Sequence, residues 1–424
     1  MKRLIKKLIF FMPKSWRRQL LKLRELRYSA YSARAMSREG VEFRAAGGKH
    51  RHEKPRILFY HPSGLNSAGT EKHLQILAKH LDKSRYDVFF MYSPKPRRII
   101  DPDRRLDGRL SYMEGTGVKL ISFDYDSMDE HYPFVIRKSR PDIFRVIRDN
   151  EIDLLVYAGI GYSEFPINLI RDIPIILLNV FGFISVQRNI ALNIGISNEV
   201  SDKVRPFVED ERIKVMYIPS EGPGEGSAAA GKRIRERFSI PDHHTVFGRI
   251  GRDTDAIFDP IGIRAFQKLV ARDETVHYLI MSPMPIVKKI AAEDGIPNVH
   301  FLEPSPLEED VWAFHQAIDC VAHFRYDGES FGLNIAESML CGKPVITHRS
   351  PIWNAHLEYL KPEFSRVADI GDVEGYYEHM KEFSELKRQG RLAGIGSLAK
   401  AQADSLFLID KSIVQFESWL NTAI

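Results

Sequence analysis

The sequence predicts an α/β protein with two doubly wound domains, because short apolar strands alternate with helical segments in two separate series along its 424 residues. The first series begins with RILFYH (56–61), a turn-rich loop, the helical pattern EKHLQILAKHL and a second strand, DVFFMYS (87–93). The second series begins with TVFGRIGR (245–252) and extends to KPVITH (343–348). A chain of this length suits two domains.

Both series contain further apolar runs of strand length. Two stretches have the composition of linkers: a polar one at 39–54 and one rich in Gly, Ser and Ala at 221–231. Two such domains would face each other across a cleft lined by the carboxyl ends of their strands. We predict four regions: an arm and linker (1–54), a first Rossmann-like domain (55–200), a second one (201–408), and a C-terminal helix (409–424) that packs back on the first domain. The further candidate strands are 118–124, 153–159, 173–180, 277–282, 298–303 and 320–324.

Composition excludes some classes of protein. The two cysteines, Cys320 and Cys341, are too few for a disulfide framework and fit a reducing, cytoplasmic setting. The net charge of +5 is uneven, because residues 1–53 hold 15 Lys and Arg against 4 Asp and Glu, which leaves −6 for the remainder. An acidic body of this kind does not predict binding to nucleic acid.

The basic N-terminal arm has the pattern of an amphipathic helix. In MKRLIKKLIFFMP the apolar residues share one helical face, and Trp16, Leu20, Leu23 and Leu26 continue the pattern among arginines and lysines. No stretch reaches the length of a membrane span. We predict that residues 1–30 lie on an anionic membrane surface, which would place the protein on the cytoplasmic face as a peripheral protein. The alternative is that the apolar stripe packs on the body or on another subunit.

The segment DGESFGLNIAESMLCGKPVITH (327–348) carries the most specific chemical pattern. Glu329 follows a strand, Gly332 opens a helix, and Glu337 lies inside that helix. A helix N-terminus presents unpaired N–H groups and partial positive charge, which suit a phosphate or diphosphate. Carboxylates accept hydrogen bonds at both oxygens and therefore suit sugar hydroxyls and ribose diols.

This segment resembles the donor-site signature of retaining glycosyltransferases of family four, the glycosyl transferases group 1, which have the GT-B fold. AGTEKHLQILAKHL is similar to the Gly-Gly-x-Glu loop and helix of that family, and TVFGRIGR to its Gly-Arg strand. The resemblance covers roughly residues 56–350. It implies a hexosyltransferase that moves a sugar from a UDP- or GDP-linked donor, with retention and without a metal ion or other cofactor, to a glycan or glycolipid acceptor such as a lipid-linked glycan or surface polysaccharide.

The resemblance also implies roles for individual residues. Glu329 would bind hydroxyls of the donor sugar near the reacting carbon, and Arg249 would neutralise a phosphate. Glu337 would bind the ribose. The donor would also meet backbone groups of the turn that opens the helix and of the first domain's loop. Those further donor-binding positions are Phe331, Gly332, Leu333, Asn334, Gly69 and Thr70.

Three departures from the family concern both domains. Ala68 replaces the first glycine of the N-terminal loop, the lysine that follows the Gly-Arg strand is missing, and no histidine follows the fourth strand of the first domain. Arg252 is our substitute for the lysine, with a surface arginine as the alternative. Tyr162, Ser163 or Glu164 would line that region instead, and none of the three is assigned a role. These departures leave open a non-catalytic GT-B scaffold or binding subunit, or another GT-B nucleotide-sugar enzyme.

Overall fold

The structure is a computed structural model that describes residues 12–38, 52–62, 64–92, 102–122, 128–131, 134–137, 143–305 and 307–424. The amphipathic pattern at 1–11 and most of the predicted linker at 39–54 lie outside the described residues. The chain divides into two compact units, the first made of residues 1–218 and 409–424 and the second of 219–408. The division between them falls after residue 218, whereas the sequence suggested residue 200.

The first unit is built on a seven-stranded parallel sheet with the order β3-β2-β1-β6-β7-β8-β9. A separate antiparallel pair, β4 with β5, accompanies it. The strands are β1 Arg56–Tyr60, β2 Asp87–Tyr92, β3 Lys119–Ser122, β4 Met128–His131, β5 Phe134–Arg137, β6 Leu154–Gly159, β7 Ile175–Asn179, β8 Ile190–Gly195 and β9 Ile213–Val215. The helices in the described part of this unit are α1 Lys14–Arg38, α2 Gly69–His80, α3 Pro102–Met113, α4 Ile143–Asp149, α5 Asn198–Val204 and, at the C-terminus, α13 Ile409–Ala423.

The second unit is built on a six-stranded parallel sheet with the order β12-β11-β10-β13-β15-β17, and a short parallel pair, β14 with β16, lies outside it. The strands are β10 Thr245–Ile250, β11 Val276–Met281, β12 Val299–Leu302, β13 Cys320–Ala322, β14 Gly328–Glu329, β15 Val345–His348, β16 Trp353–Asn354 and β17 Ser365–Ala368. The helices are α6 Ser227–Arg237, α7 Ile261–Val270, α8 Pro285–Glu293, α9 Glu308–Ala317, α10 Leu333–Leu340, α11 Val373–Arg388 and α12 Leu392–Leu406.

Both sheets bury their two faces, which explains why the strands are continuous apolar runs. In β1, Ile57 and Phe59 join the hydrophobic cluster on one face, and Leu58 and Tyr60 join the cluster on the other. Because side chains alternate along a strand, such a strand shows no polar periodicity. The prediction of two doubly wound α/β halves is confirmed.

The structure differs from the sequence-based interpretation in one linker and in several strands. The supposed linker at 221–231 includes the start of α6, because the run of alanines after Ser227 favours a helix. In the two main sheets β8, β9 and β17 were not predicted, and neither were the short strands β4, β5, β14 and β16. Asn193 interrupts the apolar pattern of β8, where it is buried and accepts a hydrogen bond from Asn179, and β17 is a four-residue edge strand with an arginine.

The C-terminal helix α13 packs within the first unit. The ring of Phe416 lies 6.4 Å from that of Phe59 in β1, and Glu417 forms a 2.6 Å salt bridge with Arg85.

Helix α1 docks on the first unit through its polar side. Arg18 Nε donates to the carbonyl oxygen of Phe207 at 3.0 Å, Glu25 Oε1 accepts from the backbone N–H of Val186 at 2.8 Å, and Ser29 Oγ donates to Asn168 at 3.0 Å. The apolar stripe of the helix points away from these contacts. Its exposed residues are Trp16 (66 %), Leu20 (44 %), Leu23 (63 %), Leu26 (63 %) and Tyr31 (47 %). The alternative that this stripe packs on the body of the same chain is therefore wrong for the described residues.

Candidate active site

The candidate site lies at the carboxyl edge of the second sheet, where open α/β sheets bind their ligands. Strand β10 brings Arg249 to this edge, and β13 is followed by His323, Arg325 and Glu329 within seven residues. Helix α10 begins immediately after this segment. Residues far apart in sequence therefore meet here because neighbouring parallel strands end at the same edge.

Glu329 is held between two basic side chains. Its Oε1 atom lies 3.3 Å from Nε2 of His323 and 3.4 Å from Nη1 of Arg325. Burial opposes ionisation of this carboxyl, but Arg325 and His323 outweigh it and lower the pKa of Glu329 to about 2. The carboxylate is thus ionised at neutral pH and acts as a hydrogen-bond acceptor.

The backbone next to Glu329 is held in place because Gly328 packs closely against the loop that contains Trp353. Gly328 has φ +65° and pairs with Trp353 in the β14–β16 pair. A Cβ atom on Gly328 would lie 1.8 Å from the carbonyl oxygen of Trp353, so no larger residue fits there. Asp327 adds a second restraint, because Arg325 Nη2 donates to its carboxylate at 2.8 Å.

Helix α10 starts at a glycine, as the sequence predicts. Gly332 adopts a left-handed conformation, with φ 89° and ψ 59°, at the N-cap. The hydroxyl of Tyr359 donates to the carbonyl oxygen of Phe331 at 2.6 Å, and a Cβ atom on Gly332 would come within 2.9 Å of that hydroxyl oxygen. The turn therefore requires glycine, and it leaves the N–H groups of Leu333 and Asn334 at the helix start, before the first intrahelical hydrogen bonds.

Arg249 is a buried cation with little compensation. It is 2 % exposed, and its Nε atom has no hydrogen-bond partner in the described part of the chain. Its two Nη atoms lie 3.4 Å from the carbonyl oxygen of Arg252, a long distance for a hydrogen bond. Burial lowers the pKa of Arg249 to about 10, so the guanidinium is still charged at neutral pH.

The side chain of Asn334 ties the start of α10 to the end of β10, the strand that carries Arg249. The Nδ2 atom of Asn334 donates to the carbonyl oxygen of Ile250 at 2.6 Å. Gly251 lies between them, since a Cβ atom there would be 3.3 Å from Nη2 of Arg249 and 3.7 Å from Nδ2 of Asn334. The buried guanidinium and the helix N-terminus therefore belong to one local cluster, and glycine keeps the backbone beside it open.

Glu337 lies beneath this turn, inside α10, and is 6 % exposed. Its Oε2 atom lies 3.4 Å from Nε2 of His315 in α9. The other ring nitrogen of His315 lies 2.7 Å from the hydroxyl of Ser338. The two glutamates of the motif thus occupy different environments, one among charged groups at the sheet edge and one between two helices.

The other predicted site residues have these locations. The side chain of Arg252 is exposed, and only its backbone oxygen contacts Arg249. Phe331 is 1 % exposed, and its ring packs against those of Tyr359 and Phe407. Gly69 and Thr70 are the first two residues of α2 in the first unit.

Sequence reasoning missed the partners of Glu329. His323 is 3 % exposed, and burial lowers its pKa despite the neighbouring Glu329. Arg325 lies four residues before Glu329 and is the arginine that contacts this carboxylate. The only signal was the alternation of His323, Arg325, Asp327 and Glu329 directly after a buried strand.

The described residues contain no group of three or more His, Cys, Asp or Glu side chains arranged to hold a metal ion. The Arg325 guanidinium is already paired with Asp327 and Glu329. The Arg249 guanidinium and the N-terminus of α10 are the groups left to bind an oxyanion. The carboxylate of Glu329 adds an acceptor for hydroxyl groups. The arrangement suits a ligand that carries phosphate at one end and hydroxyl groups at the other.

Comparison with known proteins identifies a family pattern in part of the chain. Residues 262–389 match the family described as glycosyl transferases group 1. The chain is 32 % identical over 136 residues to D-inositol 3-phosphate glycosyltransferase from Corynebacterium jeikeium (strain K411). That alignment covers 30 % of this chain and 32 % of the relative, so it spans about a third of the length of the curated protein.

Solved structures share the fold over most of the chain. A glycosyltransferase from Rickettsia africae ESF-5 superposes with a TM-score of 0.65 and 13 % identity, covering 87 % of this chain and 99 % of that one. HepE from Anabaena, solved in complex with UDP and glucose, gives a TM-score of 0.65 and 18 % identity, covering 86 % and 99 %. The resemblance inferred from the sequence is confirmed: the chain carries the glycosyl transferases group 1 pattern in residues 262–389, within the two-sheet fold of GT-B glycosyltransferases.

Proposed function

We propose that this protein is a glycosyltransferase that takes a nucleoside-diphosphate sugar, UDP- or GDP-linked, as its donor. The observation that carries the proposal is Arg249, a charged guanidinium that is 2 % exposed and has an unpartnered Nε atom. A buried charge with an unsatisfied donor and only long hydrogen bonds is costly, and a bound anion reduces that cost. The diphosphate of the donor is such an anion, with α10 directing its N-terminus at the same place.

The sugar end of the donor is assigned to Glu329. Because its carboxylate is ionised, it accepts hydrogen bonds from sugar hydroxyls and favours the positive charge that develops near the anomeric carbon. It does not serve as a proton donor at neutral pH. Glu337 is assigned to the ribose, and the backbone N–H groups of Leu333 and Asn334 to the diphosphate.

The reaction we propose is hexosyl transfer with retention and without a metal ion. Arg249 and the start of α10 stabilise the departing nucleoside diphosphate electrostatically. The acceptor hydroxyl attacks on the face that the diphosphate leaves, and a phosphate oxygen of the departing group takes the proton. The match of residues 262–389 to glycosyl transferases group 1 supports this chemistry, as does the Anabaena HepE structure, which was solved in complex with UDP and glucose.

The acceptor we propose is a glycan or glycolipid presented at an anionic membrane surface, on its cytoplasmic side. The support is the orientation of α1, which docks by polar contacts and leaves Trp16, Leu20, Leu23 and Leu26 exposed together. Arg27 and Arg34 are exposed on the same helix. An apolar stripe flanked by basic side chains suits a membrane interface. No helix in the described ranges is long and apolar enough to span a membrane.

Turnover of nucleotide sugars tests the proposed function. The full chain is incubated with UDP- and GDP-linked hexoses, with and without EDTA, and the released sugar is followed by proton NMR before mutarotation. We expect hydrolysis of one donor at a rate that EDTA does not change, with release of the anomer that the donor carried. Inverted product would contradict retention, and loss of activity in EDTA would contradict metal independence. No turnover together with no nucleotide binding would favour the scaffold alternative.

A further inference from the structure

Two aromatic side chains meet at the carboxyl edge of the first sheet, in loops that follow adjacent strands. Tyr162 follows β6 and Phe183 follows β7. Their ring centroids are 4.9 Å apart and their planes differ by 19°, so the rings are stacked. Phe183 remains 43 % exposed. We call Tyr162 and Phe183 the aromatic pair.

The two loops are fastened to each other beneath the aromatic pair. The backbone N–H of Phe183 donates to the carbonyl oxygen of Ile160 at 3.2 Å. Gly161 has φ +115°, and a Cβ atom on it would lie 2.1 Å from the carbonyl oxygen of Phe183. The hydroxyls of Ser163 and Ser185 are 2.7 Å apart. Glycine thus permits a close contact that brings the two rings together.

Asn179, the last residue of β7, holds the second loop from below. Its Nδ2 atom donates to the carbonyl oxygen of Phe183 at 3.0 Å, and its Oδ1 atom accepts from the backbone N–H of Gly182 at 2.8 Å. The residue is fully buried. The exposed ring of Phe183 therefore belongs to a loop whose backbone is held by hydrogen bonds with the buried side chain of Asn179.

Helix α1 also contacts the two loops that carry the aromatic pair. The guanidinium carbon of Arg24 lies 5.1 Å from the centroid of the Tyr162 ring, and Arg24 Nη2 donates to the carbonyl oxygen of Ile184 at 3.1 Å. One arginine thus bridges the two aromatic loops. The helix that carries the exposed apolar stripe is the same helix that holds the aromatic pair in place.

We propose that the aromatic pair is a binding subsite for a saccharide ring, the pyranose of the acceptor. An aromatic ring has a negatively polarised face, and a pyranose presents C–H groups on its own face that pack against it. The carboxyl edge of the sheet is where such a fold binds ligands. The acceptor is then a saccharide whose ring stacks on Phe183. This inference rests on the proposed function, because it assigns the aromatic pair to the acceptor of the proposed transferase.

Saturation-transfer NMR tests the subsite with defined probes. The probes are the methyl glycosides of glucose, galactose, mannose and N-acetylglucosamine, each added to the full chain. We expect saturation of the ring protons of at least one glycoside, a weaker signal in Phe183→Ala, and an undiminished signal in Phe183→Tyr. The dissociation constant should rise by roughly 3- to 10-fold in Phe183→Ala, the range that an aromatic contact supplies.

Matched measurements separate this inference from the proposed function. Val414→Ala removes another exposed apolar side chain of the first unit, 68 % exposed on α13, and should leave the glycoside signal unchanged. Melting temperatures establish that all variants are folded, and hydrolysis of the donor sugar reports on the donor site independently of the glycoside signal. Absence of any glycoside signal, or an unchanged signal in Phe183→Ala, would overturn the subsite. Glycoside binding without donor turnover would instead leave the subsite standing and remove the proposed transferase.

Discussion

Glu329 Oε1 and His323 Nε2 lie 3.3 Å apart at the carboxyl edge of the second sheet, with Arg325 Nη1 3.4 Å from the same oxygen. A carboxylate placed between two basic groups ionises more readily than an isolated one, even when it is buried. The site therefore holds an ionised carboxylate, Glu329, that can accept hydrogen bonds from hydroxyl groups. It also holds a buried guanidinium, Arg249, that can bind phosphate and is separate from the Arg325 guanidinium paired with Glu329.

Glu329→Gln should separate catalysis from nucleotide binding. The substitution keeps the size of the side chain but removes its charge, so turnover of the donor sugar should fall by roughly 100- to 1,000-fold. The affinity for the nucleoside diphosphate should stay unchanged, because Glu329 is assigned to the sugar. Steady-state kinetics and calorimetry measure the two quantities, with Glu374→Gln on the exposed face of α11 as control. Equal loss of both would refute the assignment.

The pH profile of turnover should show no titration of Glu329 above about pH 4. The pKa of Glu329 is lowered from 4.5 to about 2, so the ionised form is favoured by folding. Its contribution to stability is complete above the pKa of an unfolded glutamate and is lost as the pH falls towards 2. Rates of donor hydrolysis measured across acidic pH check this. An activity that rises on protonation of a group near pH 5, and that Glu329→Gln abolishes, would contradict it.

Arg249→Met should raise the stability of the protein without ligand. Replacing a buried, poorly partnered charge by an apolar side chain of similar length removes a desolvation cost, and the expected gain is about 1–3 kcal/mol. Differential scanning calorimetry measures the change in melting temperature. Arg252→Met is the matched control, because the neighbouring Arg252 side chain is exposed and its loss should change little. A lower melting temperature for Arg249→Met than for the control would show that Arg249 has a structural partner.

Acid should destabilise the second unit through a row of histidines. His277 in β11 lies between His244 and His300, with ring nitrogens 2.9 Å and 3.0 Å away. Burial, followed by the two neighbouring histidines, lowers the pKa of His277 to about 4. Because the unfolded chain binds the proton more readily, stability is complete above pH 6.5 and falls as the pH drops from 6.5 towards 4.

His277→Phe tests that row. Melting temperatures of the variant should fall less between pH 7 and pH 5 than those of the unchanged protein. His80, in α2 of the first unit and therefore outside the row, provides the control variant His80→Phe. Identical pH dependence in His277→Phe and the unchanged protein would mean that other groups govern acid stability.

Leu23→Glu combined with Leu26→Glu should release the protein from anionic vesicles. Both side chains are 63 % exposed on α1, so the fold should tolerate the changes. Removing two leucines from a membrane interface should weaken partitioning by at least about tenfold. Sedimentation with vesicles of phosphatidylglycerol and phosphatidylcholine measures it, with Val414→Glu on α13 as control. Unchanged sedimentation of the double variant would exclude the stripe as the membrane contact.

The sequence predicted the two sheets and the start of α10 because these depend on local patterns. Continuous apolar runs indicate strands buried on both faces, and Gly332 marks a left-handed turn before a helix. The surroundings of Glu329 depend instead on the path of the loop after β13, which the left-handed Gly328 and its pairing with Trp353 fix. His323 and Arg325 were visible as letters, but nothing local shows that they point at the same carboxylate.

The N-terminal arm illustrates a different limit. Its apolar residues at helical spacing predicted an amphipathic helix, and α1 has that periodicity. Which face docks could not be deduced, because surface helices usually bury their apolar side. Here the polar contacts of Arg18 and Glu25 with loop backbone groups decide the orientation. Such contacts depend on the positions of loops that lie far away in sequence.

Calorimetric titration of nucleoside diphosphates tests the central claim most directly. UDP, GDP, ADP and TDP are titrated into the unchanged protein and into Arg249→Met. We predict that UDP or GDP binds the unchanged protein, and that Arg249→Met weakens this affinity by roughly 10- to 100-fold, the loss of one charge-assisted hydrogen-bonding group. Binding of none of the four, or equal affinity in both proteins, would contradict a donor site built around Arg249.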